Sequence, residues 1–231
     1  MRRIVLLVIS ASLAVGLLGA LAGPAGAQTG DLAAFCAARL EANDVEGKAA
    51  NLAVMNKILG VAPAAVVQPM TALRDAYQKK GDKLFDSAEG LQLLGALDGW
   101  IYDNCPGQQV PVTAIDYEYQ GMPATLKPGV AQFKMTNGAP KEDHMLAIMK
   151  LTPEGQGQDV EKLLAMPQKK STKYFDASSR AFMFAPAGAV GYSPIDLQPG
   201  TYVYACFLPQ GGKKNGQPHF MLGMNGSLTV S

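Results

Sequence analysis

The chain has 231 residues, of which 48% are apolar and 17% charged, and its formal net charge is +1. This composition supports a packed core and excludes an intrinsically disordered chain. Basic residues never run longer than two, no phosphate-binding glycine loop is present, and histidines number only two, so we expect no nucleic-acid partner and no enzymatic activity.

The first 27 residues have the layout of a secretory signal peptide. Arg2 and Arg3 precede an apolar run over residues 4–22, and Pro24 precedes three small residues. This layout predicts cleavage before Gln28. The alternative is an uncleaved membrane anchor, because the run approaches the roughly 20 residues that span a bilayer. We predict a secreted or extracytoplasmic protein with no membrane association after cleavage.

Residues 28–108 are predicted to form a small helical domain. From Asp31 to Cys105 apolar residues recur every three or four positions, and Asp31 and two glycines mark helix ends. The clearest stripe consists of Leu84, Ala88, Leu91, Leu94, Leu97 and Ile101. Gly90, Gly95 and Gly99 weaken this helix, so it must be held by packing or be locally broken. We expect a bundle of three or four short helices.

Residues 109–231 are typical of a β-sandwich, because short alternating segments are separated by Gly and Pro. Strands are predicted over 112–119, on both sides of 127–129, from His144 onward, and in the C-terminal segments 193–209 and 218–231. A short helix is predicted over 157–166, and residues 167–181 are interpreted as a long surface loop. The predicted fold class is therefore α+β, a helical bundle followed by a sandwich.

The three cysteines cannot all pair within one molecule. Cys36 lies in the first predicted helix and Cys105 ends the last, so a disulfide between them would close the helical unit. Cys206 is left over in a predicted strand of the other domain. It is an inert buried thiol, an intermolecular bridge or a metal ligand.

The segment around Cys206 resembles the C-terminal ligand segment of the cupredoxins, the blue-copper proteins. In that family the penultimate strand ends in a cysteine, a loop delivers a histidine and then a methionine, and a final strand closes the sandwich. Cys206, His219 and Met224 match these positions, and His144 matches the family's first histidine. The resemblance covers about residues 110–231, and no family is identified for the helical part. It implies a cupredoxin-like β-sandwich with a copper site at these four residues.

The chemistry of this donor set fits copper. Two imidazoles and a thiolate with a weak axial thioether suit both copper oxidation states. The only two histidines of the chain occupy the two histidine positions. The sequence departs from the family because twelve residues, 207–218, separate Cys206 from His219. Four outcomes stay open: a blue site, a distorted or more open copper site, a Cu(I) site without Cys206, and a sandwich that has lost the metal.

We therefore predict an exported copper-binding protein that transfers electrons or handles copper, with a redox or copper-exchange protein as its partner. The alternative is a non-catalytic extracytoplasmic binding or assembly module whose sandwich has lost the metal. The cluster Glu142–His144 is interpreted as a solvated turn rather than an acid pair for hydrolysis. Three methionines among apolar neighbours are interpreted as core residues: Met145, Met149 and Met183.

Overall fold

The computed structural model describes residues 30–42, 45, 47–85 and 87–231. The predicted signal peptide, residues 1–27, lies outside these ranges. Within them, no helix is long and apolar enough to cross a membrane. The described chain forms a helical unit followed by a β-sandwich.

The helical unit contains α1 (Leu32–Glu41), α2 (Lys48–Val61), α3 (Ala64–Lys80) and α4 (Ala88–Asn104). Asp31 caps α1 by accepting hydrogen bonds from the N–H groups of Ala33 and Ala34. Gly81 ends α3 at a positive φ of 58°. The predicted helical bundle is confirmed. Asp31 and Gly81 mark helix ends as predicted, whereas Gly60 lies in the last turn of α2.

The predicted stripe on the last helix is buried over only part of its length. Leu94, Leu97 and Ile101 are buried in α4, whereas Ala88 is exposed. Leu84 is also buried, but it lies in a 3₁₀ turn that precedes the helix. Gly90 packs so closely on this turn that an added Cβ would lie 2.0 Å from the Leu84 carbonyl oxygen. The close packing of α4 on this turn therefore requires glycine at position 90, although glycine weakens the helix itself.

A Leu94→Ala variant is expected to destabilise the helical unit by about 2 to 5 kcal/mol, because it leaves a cavity beside α4. Leu94 is only 5% exposed. Urea unfolding followed by Trp100 fluorescence reports on this unit, since Trp100 is the single tryptophan and packs edge-on against Phe35. Leu32→Ala is the control, because Leu32 is 40% exposed. A loss below roughly 0.5 kcal/mol for Leu94→Ala, the range of surface changes, would contradict the packing.

The sandwich consists of two sheets. Its strands are β1 (Gln108–Ile115), β2 (Glu118–Gln120), β3 (Thr125–Leu126), β4 (Gly129–Asn137), β5 (His144–Leu151), β6 (Phe175–Ala185), β7 (Val190–Leu197), β8 (Gly200–Ala205) and β9 (Asn225–Val230). One sheet has the order β2-β1-β4-β7 and the other β3-β9-β8-β5-β6. The pairs β1–β4 and β3–β9 are parallel, and the other pairs are antiparallel. The short helices α5 (Val160–Ala165) and α6 (Gln168–Ser171) lie between β5 and β6.

The core of the sandwich lies between the inner faces of the two sheets. It includes Phe133 and Met135 from β4 and Leu146 and Ile148 from β5, all fully buried. Met145 and Met183 are buried in this cluster as predicted, and Met149 packs against it from a partly buried position. Buried residues alternate along β1, whereas the first five residues of β5 are all buried, so both faces of that segment are covered.

Two predicted elements are wrong. The segment predicted as one strand over 112–119 contains parts of two strands, because a turn at Asp116 and Tyr117 separates β1 from β2. In addition, β1 starts earlier than predicted, at Gln108. The loop predicted over 167–181 contains α6, a 3₁₀ turn (Thr172–Tyr174) and the first part of β6. β6 is an edge strand whose first half is rich in polar residues, Asp176, Ser178, Ser179 and Arg180, and this composition resembles that of a loop.

The helical unit packs on the sandwich through α4 and β7. The rings of Tyr102 and Tyr192 lie 5.6 Å apart. The side-chain amide of Gln109 donates a hydrogen bond of 3.0 Å to the Tyr102 carbonyl. These contacts join the two units on both sides of Cys105, where the chain passes from helix to sheet.

Candidate metal centre

Three strands bring the predicted ligands to one end of the five-stranded sheet. Because β8 runs antiparallel to both β5 and β9, its C-terminal end lies beside their N-terminal ends. His144 is the first residue of β5, and Cys206 directly follows β8. His219 begins a short 3₁₀ helix (His219–Leu222) that precedes β9. The sheet topology thus collects residues that are far apart in the sequence.

The twelve-residue insertion between Cys206 and His219 folds back on itself as an antiparallel hairpin. The His219 N–H donates to the Leu208 carbonyl at 2.9 Å, and the Phe220 N–H donates to the Cys206 carbonyl at 2.8 Å. Lys213 and Lys214 lie exposed near its tip. The hairpin therefore returns His219 to Cys206 despite the length of the insertion.

The donor atoms of His144, Cys206 and His219 all lie within 4.8 Å of one another. The Cys206 Sγ is 3.3 Å from His219 Nδ1, and the Nδ1 atoms of the two histidines are 3.2 Å apart. All three residues are fully buried. Since metal bonds to imidazole and thiolate are about 2.0 to 2.3 Å long at comparable zinc sites, one ion could contact all three donors after small adjustments.

Burial determines the protonation of this cluster. It raises the pKa of the Cys206 thiol to about 11, against the opposing effect of hydrogen bonds from backbone N–H groups, including that of Met145. It lowers the pKa of His144 to about 4, with a further contribution from the neighbouring His219, and it also lowers the pKa of His219. At neutral pH the cluster therefore holds two neutral imidazoles and a thiol. Binding of a metal through the thiolate must then release one proton.

The hydrogen bonding of the two imidazoles fits a cation at their Nδ1 atoms. The Nδ1 atoms face each other and Cys206, whereas the Nε2 atoms of both rings are buried without a hydrogen-bond partner among the described residues. Buried polar atoms are normally paired, so within the described chain these two Nε2 atoms lack a partner that such atoms usually have. Two imidazole nitrogens and a sulfur that converge in this way form a donor set suited to a soft or borderline metal ion.

Met224 lies beside the cluster through its backbone. Its N–H donates to the His219 carbonyl at 3.1 Å, and its carbonyl accepts from the Cys206 N–H at 3.0 Å. Its side chain is fully buried. The backbone thus bridges two of the donors, and the Met224 thioether stays a predicted fourth ligand.

Two further residues contact the cluster and were not predicted from the sequence. The Tyr117 ring packs edge-on against both imidazoles, with centroids 4.7 Å from His219 and 6.4 Å from His144. The Glu142 carboxylate lies 3.6 Å from His219 Nε2. The interpretation of this segment as a solvated turn is wrong for Glu142, whose side chain is only 21% exposed. The Glu142 contact depends on the insertion that returns His219 to the site, and the Tyr117 contacts depend on the turn between β1 and β2. The sequence carries no local signal for either.

The C-terminal unit has the arrangement that the sequence resemblance implied. It is a cupredoxin-like β-sandwich with a cysteine after the penultimate strand, a histidine and a methionine before the last strand, and a histidine at the start of β5. This arrangement defines the class of site as a buried His–Cys–His centre.

No family model matches the chain, and no curated protein matches it. Solved structures similar to its C-terminal half include auracyanin from Roseiflexus castenholzii, with 17% identity, a TM-score of 0.37, and 54% of this chain and 98% of that chain covered. Auracyanin A, a "blue" copper protein from Chloroflexus aurantiacus, has 17% identity, a TM-score of 0.32 and coverages of 52% and 99%. Rusticyanin from Thiobacillus ferrooxidans has 24% identity, a TM-score of 0.31 and coverages of 55% and 79%. Because these similarities are low, the metal assignment rests on the geometry of the donors.

Proposed function

We propose that this chain is an exported copper-binding protein that carries electrons. The proposal rests on the convergence of two imidazole nitrogens and one cysteine sulfur within 4.8 Å at the end of a sandwich. A thiolate with two imidazoles and a weak thioether suits both Cu(I) and Cu(II). We assign His144, Cys206, His219 and Met224 as the ligands.

The burial of the site favours an electron carrier over an enzyme. All four proposed ligands have no exposed surface. A substrate molecule therefore has no direct approach to a metal held by them. Electrons can still reach a buried metal, because outer-sphere transfer needs no open coordination position.

The residues around the donors have defined tasks in this proposal. Bound copper supplies a one-electron redox couple. The Met145 N–H lies 3.4 Å from the Cys206 Sγ and donates to it, which stabilises the thiolate over the thiol. The Tyr117 ring packs against both imidazoles, and its role in this proposal is to keep water from them.

The proposed location is extracytoplasmic, with a redox or copper-exchange protein as partner. The Cys36–Cys105 disulfide supports this location, because disulfides persist in oxidising compartments. The layout of residues 1–27 as a signal peptide supports it independently.

Titration of the purified, metal-free protein with Cu(II) tests the function. We expect one copper per chain, an intense visible absorption from thiolate-to-copper charge transfer, and release of one proton per ion because the free thiol is protonated at neutral pH. Zn(II) is the control, since it should release the proton without producing colour.

Two results would contradict this assignment. Colourless binding of Cu(I) alone would favour a copper carrier that does not use Cys206. Binding of neither oxidation state would leave the assembly module as the better description of the sandwich.

A further inference from the structure

The Glu142 carboxylate lies between the ligand cluster and the tip of the insertion. The Gly211 N–H is 3.0 Å from both carboxylate oxygens. The Tyr117 hydroxyl donates to Oε1 at 3.3 Å, and Oε2 lies 3.6 Å from His219 Nε2. The Glu142 backbone is fixed as well, because its carbonyl accepts from the Asn137 side-chain amide at 2.8 Å. Contacts from separate parts of the chain therefore hold this side chain beside His219.

The Glu142 carboxylate lies near the His219 nitrogen that carries a proton when the other ring nitrogen binds a metal. A neutral imidazole that binds a metal through Nδ1 carries its proton on Nε2. The Nε2 atom of His219 is buried and lacks a hydrogen-bond partner among the described residues, because 3.6 Å is longer than a hydrogen bond. Glu142 offers an acceptor that needs only a small movement to reach this N–H.

We propose that Glu142 is a positioning residue of the copper site, which accepts the Nε2–H of His219 and ties the insertion to the site through Gly211. This inference rests on the proposed function. A carboxylate that accepts the second N–H of a metal-bound histidine fixes its tautomer and the orientation of its ring.

The charge of Glu142 has a separate consequence for redox chemistry. A carboxylate beside a ligand stabilises the more highly charged Cu(II) relative to Cu(I). Glu142 therefore lowers the reduction potential of the site. The charge acts on the potential, and the hydrogen bond acts on the orientation of the ligand, so variants can separate the two effects.

A Glu142→Gln variant removes the charge and keeps a carbonyl acceptor of the same size. In the copper-loaded protein we expect the reduction potential of this variant to rise. The rise is about 59 mV for each tenfold decrease in the affinity for Cu(II) relative to the affinity for Cu(I). Asp143→Asn is the matched control, since Asp143 is the adjacent carboxylate, is exposed, and accepts a hydrogen bond from the Ala187 N–H at 3.2 Å. We expect less than half the shift in this control. Equal shifts in both variants would overturn the proposal.

A Glu142→Leu variant removes both the charge and the acceptor. We expect a loss of copper affinity of roughly 10- to 100-fold, the usual effect of losing a hydrogen-bond partner of a ligand. Glu142→Gln should retain most of the affinity. NMR of the diamagnetic Cu(I)-loaded protein gives a direct readout, because the His219 Nε2–H should exchange slowly with water in the natural chain and rapidly in Glu142→Leu. Unchanged exchange in Glu142→Leu would overturn the proposal.

The outcomes distinguish this inference from the function on which it rests. If the unsubstituted protein takes up no copper, both fail. If it takes up copper and Glu142→Gln leaves the potential unchanged, only the assignment of Glu142 fails. Should Glu142→Leu not fold in its metal-free form, Glu142→Gln and its control decide the question.

Discussion

A Cys206→Ser variant is expected to lose all visible copper absorption while its fold remains intact. Serine has nearly the same shape as cysteine but cannot supply the thiolate from which charge transfer to copper arises. The backbone bonds of Cys206 to Met224 and Phe220 do not involve its side chain, so the hairpin should persist. Visible absorption after Cu(II) addition and circular dichroism of the metal-free protein measure the two parts of this prediction.

The other two cysteines offer a matched control. The double variant Cys36→Ser and Cys105→Ser removes the other two cysteine sulfurs of the chain and leaves Cys206 in place. It should still develop colour with Cu(II), because Cys36 and Cys105 lie in the helical unit and are bonded to each other. If Cys206→Ser keeps the absorption, then Cys206 is not the ligand that produces it.

Loss of the Cys36–Cys105 disulfide is expected to destabilise the helical unit by about 4 kcal/mol, because the bridge closes a loop of some 70 residues in the unfolded chain. The two cysteines are 69 positions apart in the sequence, so the loop includes nearly the whole unit. Urea unfolding of the double serine variant, followed by Trp100 fluorescence, measures this loss.

Cys206→Ser serves as the control for the disulfide, since it removes a free thiol from the other unit. It should leave the Trp100 transition nearly unchanged. A loss below about 1 kcal/mol in the double serine variant would mean that the bridge adds far less than the chain-entropy value expected for a loop of this length.

Much of the fold was predictable because its signals are local. Asp31 caps a helix through its own side chain, and Gly81 ends another at a positive φ. β6 was missed because its first half contains four polar residues and therefore has the composition of a loop. The turn at Asp116 and Tyr117 was missed because a bulky residue such as Tyr117 rarely adopts a positive φ.

The donor cluster was predictable for a different reason, the scarcity of suitable residues together with the family resemblance. The chain contains only two histidines, and one cysteine is left unpaired by the disulfide. Their convergence was an expectation from family resemblance, and His144, Cys206 and His219 do converge. The contact of Glu142 with Gly211 and His219 was not predictable, since it exists only after the insertion has folded back over the site.

The turn between β1 and β2 has a consequence for how this chain tolerates substitution. Asp116 and Tyr117 have φ values of 29° and 72°, a conformation that costs a non-glycine residue about 1 to 3 kcal/mol. Asn-Gly would form such a turn with less strain, but it would remove the ring that covers both histidines. Selection for stability alone would therefore favour replacements that open the ligands to water. At Tyr117, stability and the proposed copper site therefore make opposite demands on the sequence.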